Sequence, residues 1–217
     1  MKSKYGMVLF DLDGTLTDSG PGIMASVHFA LEKMDLPVPP RSVLRRFVGP
    51  PLFTSFTQLC GMAPEQAETA IGYFREAYSE SGVYNNSVYP GIPETLESLH
   101  KSGARLAVAT SKPGSMTKVV LEHFGLLKYF DFVSAADESD KCAGKEELIL
   151  PVLKKANLAP AQAVMIGDTK FDTAGAENAG TAFLGVLYGF GTEEEMRREG
   201  ASVFAHTAEE IAGLLLS

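Results

Sequence analysis

An apolar run, Val8-Leu9-Phe10, carries no charge until it delivers Asp11 and Asp13 and then Gly14. A run of this kind reads as a strand buried on both faces, and such strands occur in parallel sheets covered by helices on either side. Its end is a costly place for charge, because an ionised carboxylate withdrawn from water needs a cation or hydrogen-bond donors to compensate it. Residues two apart on an extended backbone point the same way, so Asp11 and Asp13 can converge on one cation or one reacting centre. In open parallel sheets ligands sit at the carboxyl ends of strands, which favours a site here. The competing reading is a solvated turn in which Asp-Leu-Asp-Gly does ordinary turn chemistry.

Past this stretch the chain changes character twice. Residues 19–84 read as helix throughout: 21–34, with Ile23, Val27, Ala30, Leu31 and Met34 on one side and Ser19 or Asp18 as cap, then 42–47, 52–60 and 64–81. Between the second and third of these, Val48-Gly49-Pro50-Pro51 is a rigid loop, since proline fixes its own backbone and restricts the residue before it. From Pro90-Gly91 onward strand and helix alternate. Helices are expected at 93–102, 115–124, 145–157 and 171–178, with Gly103, Gly125 and Gly180 as stops, and strands at 105–110, 130–134, 163–167 and 181–186.

This alternation predicts an α/β fold, a doubly wound parallel sheet with an inserted α-helical cap domain. The expected division is residues 1–18 and 85–217 for the core and 19–84 for the cap. Because the insert leaves the chain directly after Asp11 and Asp13, its base must sit over those carboxylates, as a lid.

A chain of 217 residues has room for one sizeable core plus a smaller inserted domain. Its formal net charge of −8, with no Lys/Arg run, argues against binding nucleic acid. An anionic substrate would need local help from a metal ion and a few placed donors. Cys60 and Cys142 form neither a C-x-x-C nor a metal spacing and are expected to be buried free thiols. No signal peptide or membrane-spanning stretch is read, so a cytoplasmic location with no membrane partner is expected. His28, His100, His123 and His206 show no ligand spacing and are expected on the surface or on helix faces. The acids Glu193-Glu194-Glu195 are expected to open a helix, where they favour its dipole.

Three other strand ends carry polar groups. One ends in Thr110-Ser111-Lys112, the region 139–145 supplies cations, and another ends in Gly167-Asp168-Thr169-Lys170-Phe171-Asp172. Gathered at one sheet edge, Asp11, Asp13, Asp168 and Asp172 would face Thr110, Ser111 and a lysine, a set suited to phosphoryl transfer. Carboxylates with an open position favour Mg2+, which shares its coordination with a substrate phosphate. One carboxylate can attack phosphorus and a second can protonate the leaving alcohol and later activate water. A hydroxyl and an ammonium can bind the remaining phosphate oxygens.

On these residues the chain resembles the haloacid dehalogenase-like phosphatases, and most nearly their phosphoglycolate-phosphatase-type branch with a small helical cap. The likeness runs from Asp11-Leu12-Asp13-Gly14-Thr15-Leu16-Thr17-Asp18 to Gly185-Val186-Leu187-Tyr188-Gly189-Phe190-Gly191. It implies a Rossmann-like core, Asp11 as nucleophile and Asp13 as general acid/base. Thr110 would hold the phosphate, helped by Ser111 where relatives often have asparagine. Mg2+ would be held by the Asp11 carboxylate, the Asp13 backbone carbonyl and Asp168, with Asp172 orienting a metal-bound water or the lysine. Lys145 fits the lysine's place by its distance from Thr110 and the helix that follows, with Lys141 as competitor; the common Lys-Pro form is absent.

The implied reaction is Mg2+-dependent hydrolysis of phosphate monoesters of small metabolites through an aspartyl-phosphate, by a monomer or weak homodimer. Relatives acting on haloacids lack the Asp-x-Asp pattern, and the mutase branch has a histidine where this chain has Ile23. Phosphoglycolate is one expected substrate, while pyrophosphate, nucleoside monophosphates (a 5'-nucleotidase activity) and sugar phosphates stay open. Arg45 and Arg46 either reach the substrate from the cap or simply end an exposed helix. From another class, a receiver-type signalling module also joins aspartate, Thr/Ser, lysine and Mg2+ at strand ends, but it needs no lid. A catalytically silent relative kept for binding is the third possibility.

Overall fold

Met7, Val8, Leu9 and Phe10 are fully buried and form strand β1 (Met7–Phe10) in the middle of a six-stranded sheet in the computed structural model, which describes residues 2–137 and 144–216. Lys141 and Cys142 lie outside the described residues. The other strands are β2 (Thr17–Asp18), β3 (Ser87–Val88), β4 (Arg105–Pro113), β5 (Phe132–Ala136), β6 (Ala163–Gly167), β7 (Ala182–Val186) and β8 (Phe204–Ala205). The large sheet has the order β5-β4-β1-β6-β7-β8, and every neighbouring pair is parallel. Phe10 at the carboxyl end of β1 stands opposite Val108 of β4 and Ile166 of β6, so these three strands finish together.

Ten helices accompany the sheet among the described residues: α1 (Gly20–Lys33), α2 (Arg41–Leu44), α3 (Leu52–Leu59), α4 (Pro64–Ala77), α5 (Ile92–Lys101), α6 (Gly114–His123), α7 (Lys145–Ala156), α8 (Lys170–Ala179), α9 (Glu193–Arg198) and α10 (Ala208–Leu215). Alternation along β1 divides its side chains between two layers. Met7 and Leu9 join Leu148, Ile149 and Val152 of α7 and Ala176 of α8, whereas Val8 and Phe10 join Leu96 and Leu99 of α5 and Ile211 of α10. Helices therefore cover both faces, as expected of a doubly wound parallel sheet. Burying a side chain of this size contributes about 2 kcal/mol, which is why an uninterrupted apolar run is tolerated only in the middle of such a sandwich.

Residues 20–82 are helical apart from short connections. The chain leaves the core and returns to it side by side, since Thr17 pairs with Val88 and Asp18 with Ser87 in the antiparallel β2–β3 ribbon. Ser19 holds the N-cap position of α1 without a side-chain bond to the helix, and the Asp18 Oδ1 before it accepts the Gly20 N–H at 3.2 Å. Helix α1 lies against α4 and the π-helical turn Tyr78–Gly82 that follows it. Their approach is close: a Cβ on Gly22 would stand 2.0 Å from the Gly82 carbonyl oxygen. The Phe47 and Phe56 rings meet edge-on at 5.0 Å, and Phe74 stacks on Tyr78 at 5.4 Å.

Several expected boundaries move. The helix expected over 64–81 ends as an α-helix at Ala77 and continues as the π turn. The strand expected over 130–134 begins at Phe132, where pairing with Ala107 starts, while Phe130 turns edge-on to Phe10. Strand β4 continues to Pro113 because its pairing with β5 resumes there after an irregularity. Cys60 is half-buried, not buried, because it sits at the carboxyl end of α3, past the last helical turn. Among the described residues no helix is long and apolar enough to cross a membrane.

Candidate active site

The carboxyl ends of β1, β4 and β6 and the amino ends of α7 and α8 converge above the sheet. Asp11 follows β1 directly and is buried; its Oδ1 accepts the Leu12 N–H at 2.7 Å. Lys145, the first residue of α7, places Nζ 2.9 Å from Asp11 Oδ1 and 2.8 Å from Asp172 Oδ1, and donates to the Ala109 carbonyl at 3.2 Å. Burial works against the ammonium, but Asp11 and Asp172 outweigh it and raise the lysine's pKa. Lys145 is thus a buried cation shared by two carboxylates, one at the end of β1 and one on the first turn of α8.

Asp168, next after β6, is fully buried. The Thr15 hydroxyl donates to its Oδ1 at 3.1 Å and the Phe190 N–H to its Oδ2 at 2.8 Å. Two glycines make room for it. Gly14, at φ +86°, and Gly189 each pass so close that a Cβ would lie 2.3 and 2.4 Å from Asp168 Oδ2. Asp172, on the first turn of α8, has Oδ2 held by the Thr169 N–H at 3.1 Å and the Thr169 hydroxyl at 2.7 Å.

Asp13 takes a different partner from Asp11. The chain bends at Leu12, and Asp13 makes an isolated bridge to Thr17, so the two carboxylates face one cavity but each has its own cation. Lys112, two residues beyond Thr110 on β4, reaches Asp13 with Nζ 2.9 Å from Oδ2 and 3.2 Å from Oδ1, and donates to the Tyr78 hydroxyl at 2.7 Å. Burial opposes the Lys112 charge, while Asp13 and Tyr78 raise its pKa.

The cavity, of about 120 Å³, is lined by Asp11, Asp13, Thr110, Ser111 and Lys112 from the core. Ile23, Phe47, Pro50, Leu52, Phe74, Arg75 and Tyr78 close it from residues 19–84. Ile23, at the position where the mutase branch has a histidine, therefore faces the site with an apolar side chain. Arg45 does not: its guanidinium donates to the Gly189 carbonyl at 3.0 Å and lies over the Phe190 ring, tying helical segment to core. Arg46 lines a separate cleft with Lys170 and Glu195.

Four further side chains shape the site without a role in the sequence-based expectation: Lys112, Thr15 and Thr169, which stand inside the motifs named above, and Tyr78, which stands outside them. Lys112 could have been found by the same two-residue alternation that drew attention to Asp11 and Asp13. Tyr78 could not, because its place depends on how the helices fold back.

Asp11, Asp168 and Asp172 bring carboxylate oxygens within 4.8 Å of one another, all buried. With one ammonium among three carboxylates, negative charge is in excess. Burial is the main cause that pushes the Asp11 carboxyl up to about 7 against the pull of Lys145, and it pushes Asp168 up to about 8. A buried, all-oxygen, electron-rich donor set fits a hard divalent cation such as Mg2+.

A family model described as haloacid dehalogenase-like hydrolase matches residues 8–186. A 5'-nucleotidase of Pseudomonas aeruginosa is 42% identical over 89% of this chain and 88% of its own length. A protein of Mycobacterium tuberculosis named tyrosine-protein kinase PtkA is 35% identical over 93% of this chain and 69% of its own length. Among solved structures, one described as a predicted phosphatase from Clostridium acetobutylicum superposes with a TM-score of 0.92 at 42% identity, covering 98% of each chain.

Proposed function

The chain belongs to the haloacid dehalogenase-like hydrolase family and is a phosphatase of phosphoric monoesters, and from that premise we propose that it hydrolyses phosphate esters of small cytoplasmic metabolites through a phosphoaspartate on Asp11. Residues 19–84 act as the cap over the site. The observation that carries this reading is the placement of Asp11 and Asp13 on one cavity with separate ammonium partners, Lys145 and Lys112. Two carboxylates that differ in environment can take two roles.

An Asp11 carboxylate oxygen attacks phosphorus while the ester P–O bond breaks, and Asp13 gives a proton to the leaving oxygen. Thr110 and Ser111 hold phosphate oxygens from β4, and Lys145 offsets their charge beside Asp11. Water then attacks the phosphoaspartate, Asp13 takes its proton, and Asp11 is released. Asp11, the Asp13 carbonyl and Asp168 would hold Mg2+, and the bound ion would supply positive charge against which a dianionic phosphate could approach the buried carboxylates. Closure of the apolar walls keeps bulk water from the reacting atoms.

Among substrates, nucleoside 5'-monophosphates lead. Ile23, Phe47, Pro50, Leu52, Phe74 and Met116 present an apolar wall suited to a sugar and base, and the relative at 42% identity is named a 5'-nucleotidase. Phosphoglycolate comes second, with Arg75 as the cation its carboxylate would meet.

Phosphate release from nucleotides, phosphoglycolate, sugar phosphates and pyrophosphate, with Mg2+ or chelator, tests the reading. Turnover is expected to need Mg2+ and to fall by about a thousandfold or more in Asp11→Asn. Undiminished turnover in that variant would remove Asp11 from the mechanism. Stable phosphate uptake on Asp11 without turnover would favour the receiver-type switch.

A further inference from the structure

Asp13, Lys112 and Tyr78 are far apart in the chain and meet in one hydrogen-bonded line. The Lys112 ammonium sits 2.9 and 3.2 Å from the two Asp13 oxygens and 2.7 Å from the Tyr78 hydroxyl. The side chains of Lys112 and Asp13 are 6% and 13% exposed, so the pair is desolvated yet keeps an edge open to the cavity. Tyr78 belongs to the π turn after α4, and its ring is fixed by the stack on Phe74 with planes 9° apart. Behind that turn Gly82 and Gly22 are in backbone contact, which leaves the turn little room to shift. The Lys112 ammonium also lies 4.6 Å from the Tyr78 ring centroid, so ring and hydroxyl together set its position.

From this geometry we infer that Tyr78 and Lys112 are positioning residues for Asp13: the hydroxyl on the helical segment fixes the ammonium, and the ammonium fixes the plane of the carboxyl group. The cap is then part of the proton-transfer apparatus and not only a cover. This rests on the reading of Asp13 as acid and base. When the Asp11–phosphorus bond forms and the ester bond breaks, the Asp13 proton goes to the leaving oxygen. When water's oxygen bonds phosphorus and the Asp11–phosphorus bond breaks, the water proton returns to Asp13. Tyr78 and Lys112 neither gain nor lose a proton in either step. A carboxyl free to rotate presents its proton to the leaving oxygen for a smaller fraction of encounters, and positioning of this kind is a large part of what acid catalysis provides.

The test compares kcat/KM, which reports the steps up to alcohol release, for p-nitrophenyl phosphate and for a simple alkyl phosphate in the wild type, Asp13→Asn, Tyr78→Phe and Lys112→Met. Nitrophenolate leaves readily without a proton, whereas an alkoxide does not. Tyr78→Phe keeps the stacked ring, which protects the fold. It is expected to lose about tenfold more on the alkyl ester than on the aryl ester, with Lys112→Met losing more and Asp13→Asn setting the limit. Equal losses on both esters, or a rise in KM alone, in Tyr78→Phe and Lys112→Met would overturn the inference while Asp13 keeps its role. If Asp13→Asn itself fails to distinguish the esters, the acid/base reading falls and the inference falls with it.

Discussion

At the scale of single residues the site is a balance of buried charges. Lys145 is the cation between Asp11 and Asp172, and its side chain is 3% exposed. Replacing it by methionine leaves two buried carboxylates facing each other, and breaking a buried pair in this way costs about 3–5 kcal/mol. Lys145→Met is therefore expected to unfold at clearly lower urea than the wild type, and more so at pH 8 than at pH 5, where protonation of Asp11, whose pKa burial raises to about 7, relieves the repulsion. A midpoint unchanged at pH 8 would mean that the pair contributes nothing to the fold. The residues that meet here were legible because each stands at a recognisable strand end or helix start. Asp11 and Asp168 needed only the alternation of elements and Asp172 only the first turn of a helix, whereas Lys145 emerged from the region 139–145 through the family resemblance, with Lys141 as competitor. Lys112 stands in the strand end Thr110-Ser111-Lys112, but the sequence assigns it no partner, since a lysine at a strand end is more often solvated.

At the scale of elements, the long and strongly patterned segments were the legible ones. β1 and β6 are uninterrupted apolar runs and β4 carries one over residues 106–109, while Gly103, Gly125 and Gly180 mark helix ends at positive φ. The two-residue strands β2, β3 and β8 are too short to carry a period, and they form because neighbouring backbone offers partners. Helix α10 is absent from the expected elements, although Ile211 and Leu215 complete the layer over Val8 and Phe10. The π turn Tyr78–Gly82 has no sequence signature, yet it carries Tyr78 to Lys112. Its seat against α1 predicts a sharp response to one methyl group. Gly22→Ala drives a Cβ toward the Gly82 oxygen, and such overpacking costs about 1–3 kcal/mol. Denaturation of this variant is expected at lower denaturant, with a loss of activity beyond the loss of folded protein, because the turn that bears Tyr78 must move. Full activity in the folded fraction would show that the turn's exact seat is unimportant.

At the scale of the molecule, the excess of buried carboxylate couples stability to pH and to divalent cation. Asp11 and Asp168 have pKa values raised from an ordinary 3.8 to about 7 and about 8, chiefly by burial. A carboxyl raised in this way takes up a proton on folding. Its contribution to stability is whole below pH 4, declines as pH rises through the folded values, and is gone above about pH 8. A divalent cation held by the ionised carboxylates would restore stability where the protons have left. Thermal melts should show a larger Mg2+-induced rise at pH 8 than at pH 5, corresponding to about 2.7 kcal/mol when the ion is at a hundred times its dissociation constant. An equal rise at both pH values would place the ion elsewhere.

The sequence by itself determined the layered α/β architecture and the identity of the acidic strand ends, because apolar runs between helical segments can be buried only one way and charge at their ends has to be met by opposite charge. Tertiary structure alone decided which cation meets which carboxylate, Lys145 for Asp11 and Lys112 for Asp13, and brought Tyr78 onto the second pair. Those contacts join residues 13, 78 and 112 through the return path of a helical insert. No local period records such a path, since it is fixed by packing between surfaces that the chain creates only once it has folded.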